Sequence, residues 1–392
     1  MKRIIISISI ILASTCSYGQ GWLESILREV ESNNPDLKAM AAEVDADRLA
    51  NKSETLLQNP EVEYNYLLGA NNIGNRNDLR VSQPFDYATL SGLRSGKAAT
   101  MDELSLLKYK AGRMDVLLET WQTCIDLVHC NALLSELGAH LDQAKTLVSS
   151  YEKRMAVGDA TVLDLNKARI HLTSVQGKVN SAETERTVLL ATLRSLNGGK
   201  EIVFDHSEYD IGISLPDDFG TWYSQAAEKN PVLDYVRKQV SLGEKQLAID
   251  KASRLPGLSL GYMSELRTEE KFRGVTLGVS IPLWNGTNKV RQSRATVLAA
   301  ESRKEAAEKK FYLDLESQYS RALAMKTNSE LMRSSLKETD NRDFLLKALT
   351  KGEISMIDYL VETDLYYDTL EQTLDAERDY RKALAVLQSS CL

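Results

Sequence analysis

The side chains that could do chemistry are thinly spread along this chain. The four histidines are dispersed through the sequence, at His129, His140, His171 and His206. The sequence contains no Gly-rich phosphate loop, no nucleophile elbow and no clustered set of His, Cys and carboxylate residues. It therefore predicts no enzyme, no cofactor and no metal site.

The cysteines indicate neither a disulfide bond nor a metal site. Cys124 and Cys130 lie six positions apart in a helical pattern, so they point to different helix faces and cannot form a local bridge. Once residues 1–19, with the fourth cysteine Cys16, are removed as a signal peptide, Cys391 completes an odd, scattered set, which is neither a disulfide framework nor a zinc site. We expect small, buried apolar side chains.

Two aspartates do recur in a pattern. Asp164 lies six residues after Gly158, and Asp358 lies six residues after Gly352. These segments belong to a longer repeat with an offset of about 196 residues, in which residues 34–37 recur as 230–233, 59–66 as 255–262, and 81–85 as 279–283. Each copy has a helix, two strands and a long helical hairpin, which indicates a tandem duplication. We predict a first repeat over residues 20–216 and a second over 217–392, both within one integrated body.

Residues 1–19 have the pattern of a secretory signal peptide. Lys2 and Arg3 precede an apolar stretch at 4–13 and a small-residue cleavage site at 17–19. This stretch is too short to span a bilayer as a helix. A lipoprotein signal with cleavage before Cys16 is the alternative. Either way, the sequence predicts an exported protein.

The charge balance argues against nucleic acid. The 392 residues carry 48 basic and 55 acidic side chains, for a formal charge of −7. A nucleic-acid-binding protein would show a clustered basic face instead.

The elements that position the two aspartates are long helices. Residues 86–151 and 287–350 contain neither proline nor a turn cluster, so each predicts a helix of about 100 Å. A return helix of about 35 residues follows each Gly turn, and shorter first helices are predicted over 21–57 and 217–254. Thin apolar stripes with wide polar flanks are typical of knobs-into-holes packing. A free-standing coiled coil would have the same composition.

The strand segments alternate with period two. In the first copy Val62, Tyr64 and Tyr66 alternate with polar residues, and in the second copy Leu260, Tyr262, Leu277 and Val279 alternate with Ser, Gly and Thr. Such alternation indicates a sheet with one apolar and one wet face, and about 9–10 residues suit a tilted strand crossing an outer membrane. A soluble antiparallel sheet packed on a helix is the alternative.

Four strands cannot close a barrel within one chain. In lipid an open edge would leave backbone groups unpaired, so several copies must share one barrel. Three copies would supply twelve strands, which lies within the known range.

The whole mature chain resembles the TolC family of outer-membrane efflux proteins. The resemblance rests on the second hairpin, from Leu255-Pro256-Gly257 through Ile281-Pro282-Leu283-Trp284-Asn285-Gly286, and on the turns ending in Asp164 and Asp358. It implies a mainly α protein with a membrane β-barrel portion. Duplicated long helical hairpins would form a periplasmic α-barrel, and four strands per protomer would enter a shared 12-strand trimeric β-barrel.

The resemblance also assigns roles to residues. Asp358 matches a pore-narrowing ring at the second hairpin tip, and Glu362 lies beside the position of a second ring, which Val361 occupies here. Asp164 matches the equivalent turn of the first repeat, where a contact between neighbouring tips is expected. Gly158 and Gly352 mark the turns at which an adaptor would dock. The alternative for Asp358 is a solvated helix-start residue.

Within the family, the compact chain and the segment Val81-Ser82-Gln83-Pro84-Phe85 look closest to the branch that pairs with heavy-metal pumps, the cobalt-zinc-cadmium type. The chain departs from that branch at residues 91–97, where Ser-Gly-Leu-Arg-Ser-Gly-Lys replaces a Gly-Lys-Arg run.

The function implied by the resemblance is a passive exit duct in the outer membrane. Its partners would be two further copies of the chain, a periplasmic adaptor (membrane fusion) protein, an inner-membrane pump of the resistance-nodulation-division type, and outer-membrane lipid. The exit channel of a type I protein secretion system is one alternative. A soluble periplasmic coiled-coil scaffold is another.

Overall fold

A computed structural model describes residues 21–69, 74–209, 214–267, 270–282 and 287–389. The predicted signal peptide at 1–19, with Cys16, lies outside the described residues, as do Cys391 and residues 283–286 of the quoted second hairpin. The structure is 74% helical with a small antiparallel sheet, so the prediction of a mainly α protein is confirmed.

The elements follow each other in the same order in the two halves of the chain. They are α1 (Trp22–Asn33), α2 (Pro35–Ser53), β1 (Glu61–Leu67), β2 (Arg76–Phe85), α3 (Tyr87–Leu90), α4 (Leu93–Ala156), α5 (Val162–Leu196), α6 (Phe219–Lys229), α7 (Pro231–Ala252), β3 (Gly257–Leu266), β4 (Lys271–Ser280), α8 (Thr287–Glu338), α9 (Arg342–Lys351) and α10 (Met356–Gln388). None of the described helices is long and apolar enough to cross a membrane.

The described residues form two compact units, and each unit takes segments from both halves of the sequence. One contains the residues up to 35, 113–226 and those from 314 onward. The other contains 36–112 and 227–313. The predicted boundary at 216/217 divides the sequence into two repeats, whereas the two units are defined by their contacts in space. The repeat boundary stays a prediction.

The first helix of each repeat is broken, where the sequence predicts a continuous one. The breaks lie at Asn34 and Asn230, each followed by proline. Proline lacks an N–H and is favoured at the first helical position, where none is needed. Asn230 caps the new helix by accepting hydrogen bonds from the amides of Val232 (2.9 Å) and Leu233 (3.1 Å).

The long helices of the two repeats also differ. The first, α4, runs unbroken for 64 residues. The second is interrupted between α8 and α9, although neither Gly nor Pro marks the position. At the break, Arg342 donates from Nε and Nη2 to the two carboxylate oxygens of Asp340, at 3.0 and 2.8 Å. The backbone amide of Arg342 also donates to Asp340 Oδ1 at 3.3 Å, and a side-chain acceptor of this kind competes with the helical backbone and explains the interruption.

The core of the first unit is a series of apolar clusters. The largest surrounds Val30, Leu127 and Phe204, and a second lies between α4 and α5 around Leu137 and Val175. Cys124 and Cys130 are free and buried, as expected from their scatter.

The sheet belongs to the second unit and has the order β1-β2-β3-β4, with all pairs antiparallel. One hairpin from each repeat supplies two adjacent strands. Strands β1 and β4 form its edges, and within the described residues neither has a partner on its outer side.

Candidate functional site: two capped hairpin turns and an exposed apolar sheet face

The turn between α9 and α10 is built from a glycine and a reciprocal helix cap. Gly352 adopts the left-handed conformation (φ 76°) that ends α9, and the amide of Glu353 donates to the carbonyl of Ala348 at 2.9 Å. At the start of α10, the Ser355 hydroxyl donates to Oδ2 of Asp358 (2.6 Å). The amide of Asp358 donates back to Ser355 Oγ (3.2 Å). Asp358 is thus the third helical residue of a capping box.

The turn between α4 and α5 repeats this construction. Gly158 has φ 80°, the Thr161 hydroxyl donates to Asp164 Oδ2 (2.6 Å), and the Asp164 amide donates back (3.2 Å). The hydrogen bonds from the Thr161 side chain and amide, with a smaller contribution from Lys167, hold the pKa of Asp164 below its usual range. Both aspartates therefore have a helix-start role in this chain.

A shared apolar cluster holds the two turns together, within the first unit. It joins Leu147 and Tyr151 of α4, Leu165 and Ala168 of α5, Leu349 of α9, and Met356 and Tyr359 of α10. Because both hairpins contribute to one core, displacing one turn would disturb the packing of the other.

The surfaces of the two turns differ in charge. Asp358 and Glu362 lie one helical turn apart on α10 and are both exposed. Lys167 lies 3.7 Å from Asp164, whereas the equivalent position after Asp358 is Val361. The tip of the second repeat therefore presents carboxylates without the neighbouring lysine.

One face of the sheet is mainly apolar. Its strands pair Val62 with Val81, Val81 with Tyr262, and Tyr262 with Val275. The apolar face also carries Tyr64, Tyr66, Leu260, Leu277 and Val279 and is exposed, from 36% for Val81 to 83% for Leu277. An exposed apolar surface of this kind needs a partner or an apolar solvent.

The opposite face of the sheet carries charges and small residues. Arg76 lies 2.8 Å from Asp78 and 3.1 Å from Glu265, and Arg80 lies 3.7 Å from Glu63. Gly261, opposite Thr276, is packed against its neighbours: a Cβ on it would lie 2.6 Å from the Val81 carbonyl. One face is wet and the other apolar, as the alternation in the sequence predicts.

A sequence profile of the outer membrane efflux protein family matches residues 26–199 and 222–391. The chain belongs to the outer membrane efflux protein family. Its localisation is accordingly the outer membrane with an extension into the periplasm, and its family and fold are those of channel proteins.

Solved structures of outer-membrane channels share the fold of this family member. The CmeC channel of Campylobacter jejuni superimposes with a TM-score of 0.75 at 16% identity, over 94% of this chain and 85% of that one. VceC of Vibrio cholerae gives 0.72 at 12% identity, over 94% of both chains. The open state of MtrE of Neisseria gonorrhoeae gives 0.76 at 12% identity, over 94% of this chain and 88% of that one. No curated protein sequence matches the chain significantly.

These likenesses confirm the resemblance to the TolC family and the predicted fold, with a helical barrel and a β-barrel portion. The closer assignment of this efflux family member to the heavy-metal branch stays a prediction.

One cluster in this efflux protein escaped the sequence analysis. His140 on α4 and His171 on α5, 31 positions apart, meet with their Nε2 atoms 3.2 Å apart, and both are buried. Asp364 of α10 lies 3.4 Å from Nδ1 of His171. Nothing in the sequence reveals this meeting, because it depends on how three helices pack. The other two histidines lie apart from it: His129 pairs with Asp375 and His206 stacks on Trp22.

Proposed function

We propose that three copies of this chain form a passive exit duct of a tripartite efflux system. The observation that carries the proposal is the four-stranded sheet, with its exposed apolar face and two open edges. Backbone groups at an open edge cannot remain unpaired in lipid. Pairing β4 of one chain with β1 of the next satisfies both edges, and three chains make a barrel of twelve strands.

In this arrangement the apolar face points to lipid. Tyr64, Tyr66, Leu260, Tyr262, Leu277 and Val279 are the lipid-facing residues, and the charged and small residues line the interior. Transmembrane barrels have this alternation of apolar-out and polar-in side chains.

The gate lies at the periplasmic hairpin turns. Asp358 and Glu362 from three chains form the constriction, and their carboxylates attract cations and repel anions. Asp164, with Lys167 beside it, takes part in contacts between neighbouring tips instead.

A periplasmic adaptor docks at the turns that contain Gly158 and Gly352. Exposed apolar side chains around these turns support a protein contact, with Val157 at 80%, Leu163 at 70% and Ile357 at 53% exposure. An inner-membrane pump of the resistance-nodulation-division type supplies the energy. Docking opens the duct because the adaptor binds the open state more tightly than the closed one.

The first test is the detergent-corrected mass of the protein purified from the outer-membrane fraction. We expect a trimer that requires detergent. A monomer or dimer released by salt or osmotic shock would contradict the shared barrel.

The gate is tested by single-channel conductance of Asp358→Asn, with Asp164→Asn as its matched control. Each substitution weakens the capping box of its own turn, and the two boxes are equivalent. Only Asp358→Asn removes a carboxylate from the proposed constriction. We expect Asp358→Asn to raise the closed-state conductance and weaken block by divalent cations. Asp164→Asn, which removes a contact between tips and not a pore carboxylate, should leave the block by divalent cations unchanged. Equal behaviour of the two variants would contradict the gate assignment.

A further inference from the structure

The buried histidine pair of the first unit joins three helices at one point. His140 of α4 is 2% exposed and His171 of α5 is 7% exposed, and their Nε2 atoms are 3.2 Å apart. Oδ1 of Asp364 approaches Nδ1 of His171 from α10 at 3.4 Å. Side-chain atoms of the three residues, one from each, all lie within 4.8 Å of one another.

Burial favours the neutral form of both imidazoles. It lowers the pKa of His140 to about 3, with a further contribution from His171, and it also lowers the pKa of His171. A neutral imidazole has one bare nitrogen, which is the form that binds metal ions.

Asp364 orients one of the two bare nitrogens. Oδ1 of Asp364 lies 3.4 Å from His171 Nδ1 and favours the tautomer with the proton on Nδ1, which leaves the lone pair of His171 on Nε2, facing His140. A carboxylate on the far nitrogen of a ligating histidine is the usual arrangement around protein-bound metals. The ring of His140 is also held in place, stacked 3.7 Å from the ring of Tyr367.

The spacing of the two Nε2 atoms matches that of two ligands on one ion. Zinc–nitrogen bonds of about 2.0–2.1 Å in a tetrahedral site place neighbouring nitrogens roughly 3.3 Å apart. A hydrogen bond between the two rings has a similar length, and metal titration distinguishes the two arrangements.

We propose that His140 and His171 bind a divalent transition metal ion through their Nε2 atoms, with Asp364 orienting His171 from its Nδ1 side. Imidazole nitrogens select ions such as Zn²⁺, Cu²⁺ and Ni²⁺ over Mg²⁺ and Ca²⁺. Water fills the remaining positions. This site goes beyond the proposed duct function and does not depend on it.

The charge of Lys178, which acts on His140, is already paired. Lys178 donates to Asp368 (2.7 Å) and to Glu371 (3.4 Å), so its charge is compensated beside the histidines. The ion would tie α10 to α4 and α5, six residues after Asp358 on the same helix. Bound metal therefore stabilises the packing of the two hairpins.

Metal binding by the full-length, untagged protein in detergent tests the site. After treatment with EDTA, the protein is titrated with Co²⁺, whose visible absorption bands report its ligand geometry, and Co²⁺ is then displaced with Zn²⁺. The variants are His140→Asn, His171→Asn and Asp364→Asn. His206→Asn, which removes an exposed histidine outside the cluster, is the matched control.

We expect one ion per chain in the wild type and in His206→Asn, and none in His140→Asn or His171→Asn. Asp364→Asn should weaken Zn²⁺ affinity by roughly 10- to 100-fold. Absence of the Co²⁺ bands in the wild type, or their retention in either histidine variant, would overturn the proposal. If the histidine variants fail to assemble, the result for Asp364→Asn decides, because the partly exposed side chain of Asp364 is dispensable for packing. An unchanged Zn²⁺ affinity in this variant would overturn the proposed site.

Discussion

Asp164 and Asp358 make the same hydrogen bonds in two copies of one turn, yet their surroundings differ by one charge. The lysine beside Asp164 has no counterpart beside Asp358, where Val361 stands. The cap explains why both repeats have an acidic residue at this position. The missing lysine is what makes Asp358, together with Glu362, suitable for a constriction that attracts cations.

The lowered pKa of Asp164 predicts a pH dependence of the first turn. A carboxylate whose folded pKa is depressed contributes stability above its unfolded pKa of about 4, and this contribution is lost as the pH falls through the folded value. At pH 7, Asp164→Asn should therefore speed hydrogen exchange at the start of α5. The difference between the variant and the wild type should shrink as the pH approaches 3.

Comparing the two proteins at each pH cancels the chemical exchange rate. A difference that stays constant from pH 7 to pH 3 would show that the ionised form of Asp164 contributes nothing to the cap.

The left-handed conformation of Gly352 at the second turn predicts a loss of stability when this glycine is replaced. A Cβ at Gly352 meets no atom, but its φ of 76° disfavours any other residue, so Gly352→Ala should cost about 1–2 kcal/mol. That corresponds to a roughly 5- to 30-fold faster hydrogen exchange of the turn amides.

Gly138 provides the opposite case. It lies inside α4, and a Cβ there meets no atom within 4 Å. Gly138→Ala should therefore stabilise the helix by about 0.5–1 kcal/mol and slow its exchange. Equal effects of the two substitutions would contradict the conformational argument.

At the scale of elements, close approach of the strands determines which glycines the sheet requires. A Cβ at Gly261 would lie 2.6 Å from both the Val81 carbonyl and Thr276 Oγ1, whereas a Cβ at Gly274 meets no atom within 4 Å. Gly261→Ala should separate β3 from its neighbours. The assembly should then dissociate at a lower temperature when samples are warmed stepwise before gel electrophoresis. Gly274→Ala should leave the dissociation temperature unchanged. A lower dissociation temperature in both variants would contradict the explanation by close packing of β3.

The helices and strands also show which structural features can be predicted from the sequence. Period-two alternation predicts all four strands, and a Gly turn followed by an aspartate six residues later predicts the two return helices. The breaks at Asn34 and Asn230 were readable from the Asn-Pro pairs, since an asparagine cap followed by proline is a helix start. Helical periodicity alone does not show these breaks, because both flanking segments are helical.

Other features depend on tertiary packing and had no local signal. The break before α9 involves Asp340 and Arg342 rather than Gly or Pro, and Arg342 also reaches Glu136 of α4 at 3.2 Å. The meeting of His140 with His171 requires the register between α4 and α5. A 3.6-residue period shows which face of a helix is apolar but not which residues of two helices lie opposite each other.

At the scale of the whole molecule, one chain is an incomplete membrane structure. Its sheet has an apolar face and two edges that no other described strand covers, and the edge strands β1 and β4 run antiparallel to each other. They can thus continue the antiparallel ladder from one chain to the next. Closure removes every edge, which is the only arrangement that lipid tolerates for a sheet.

This closure predicts disulfide cross-links between chains in the trimer. Tyr64→Cys on β1 is combined in turn with Val275→Cys, Leu277→Cys and Val279→Cys on β4, because the shear of the barrel sets the register. Within one chain these strands are separated by β2 and β3, so a bridge, which needs a Cα separation of about 4.4–6.8 Å, can form only between chains. We expect at least one pair to give covalent dimers and trimers on denaturing gels.

Asn65→Cys with the same three partners is the control, since its side chain lies on the opposite face of β1 and cannot reach them. The buried Cys124 and Cys130 do not compete for oxidation, because burial raises their pKa values, and Cys391 is replaced by serine. Bands beyond three chains would contradict the stoichiometry. Absence of cross-links at all three positions would mean that β1 and β4 do not meet, and the shared barrel would have to be abandoned.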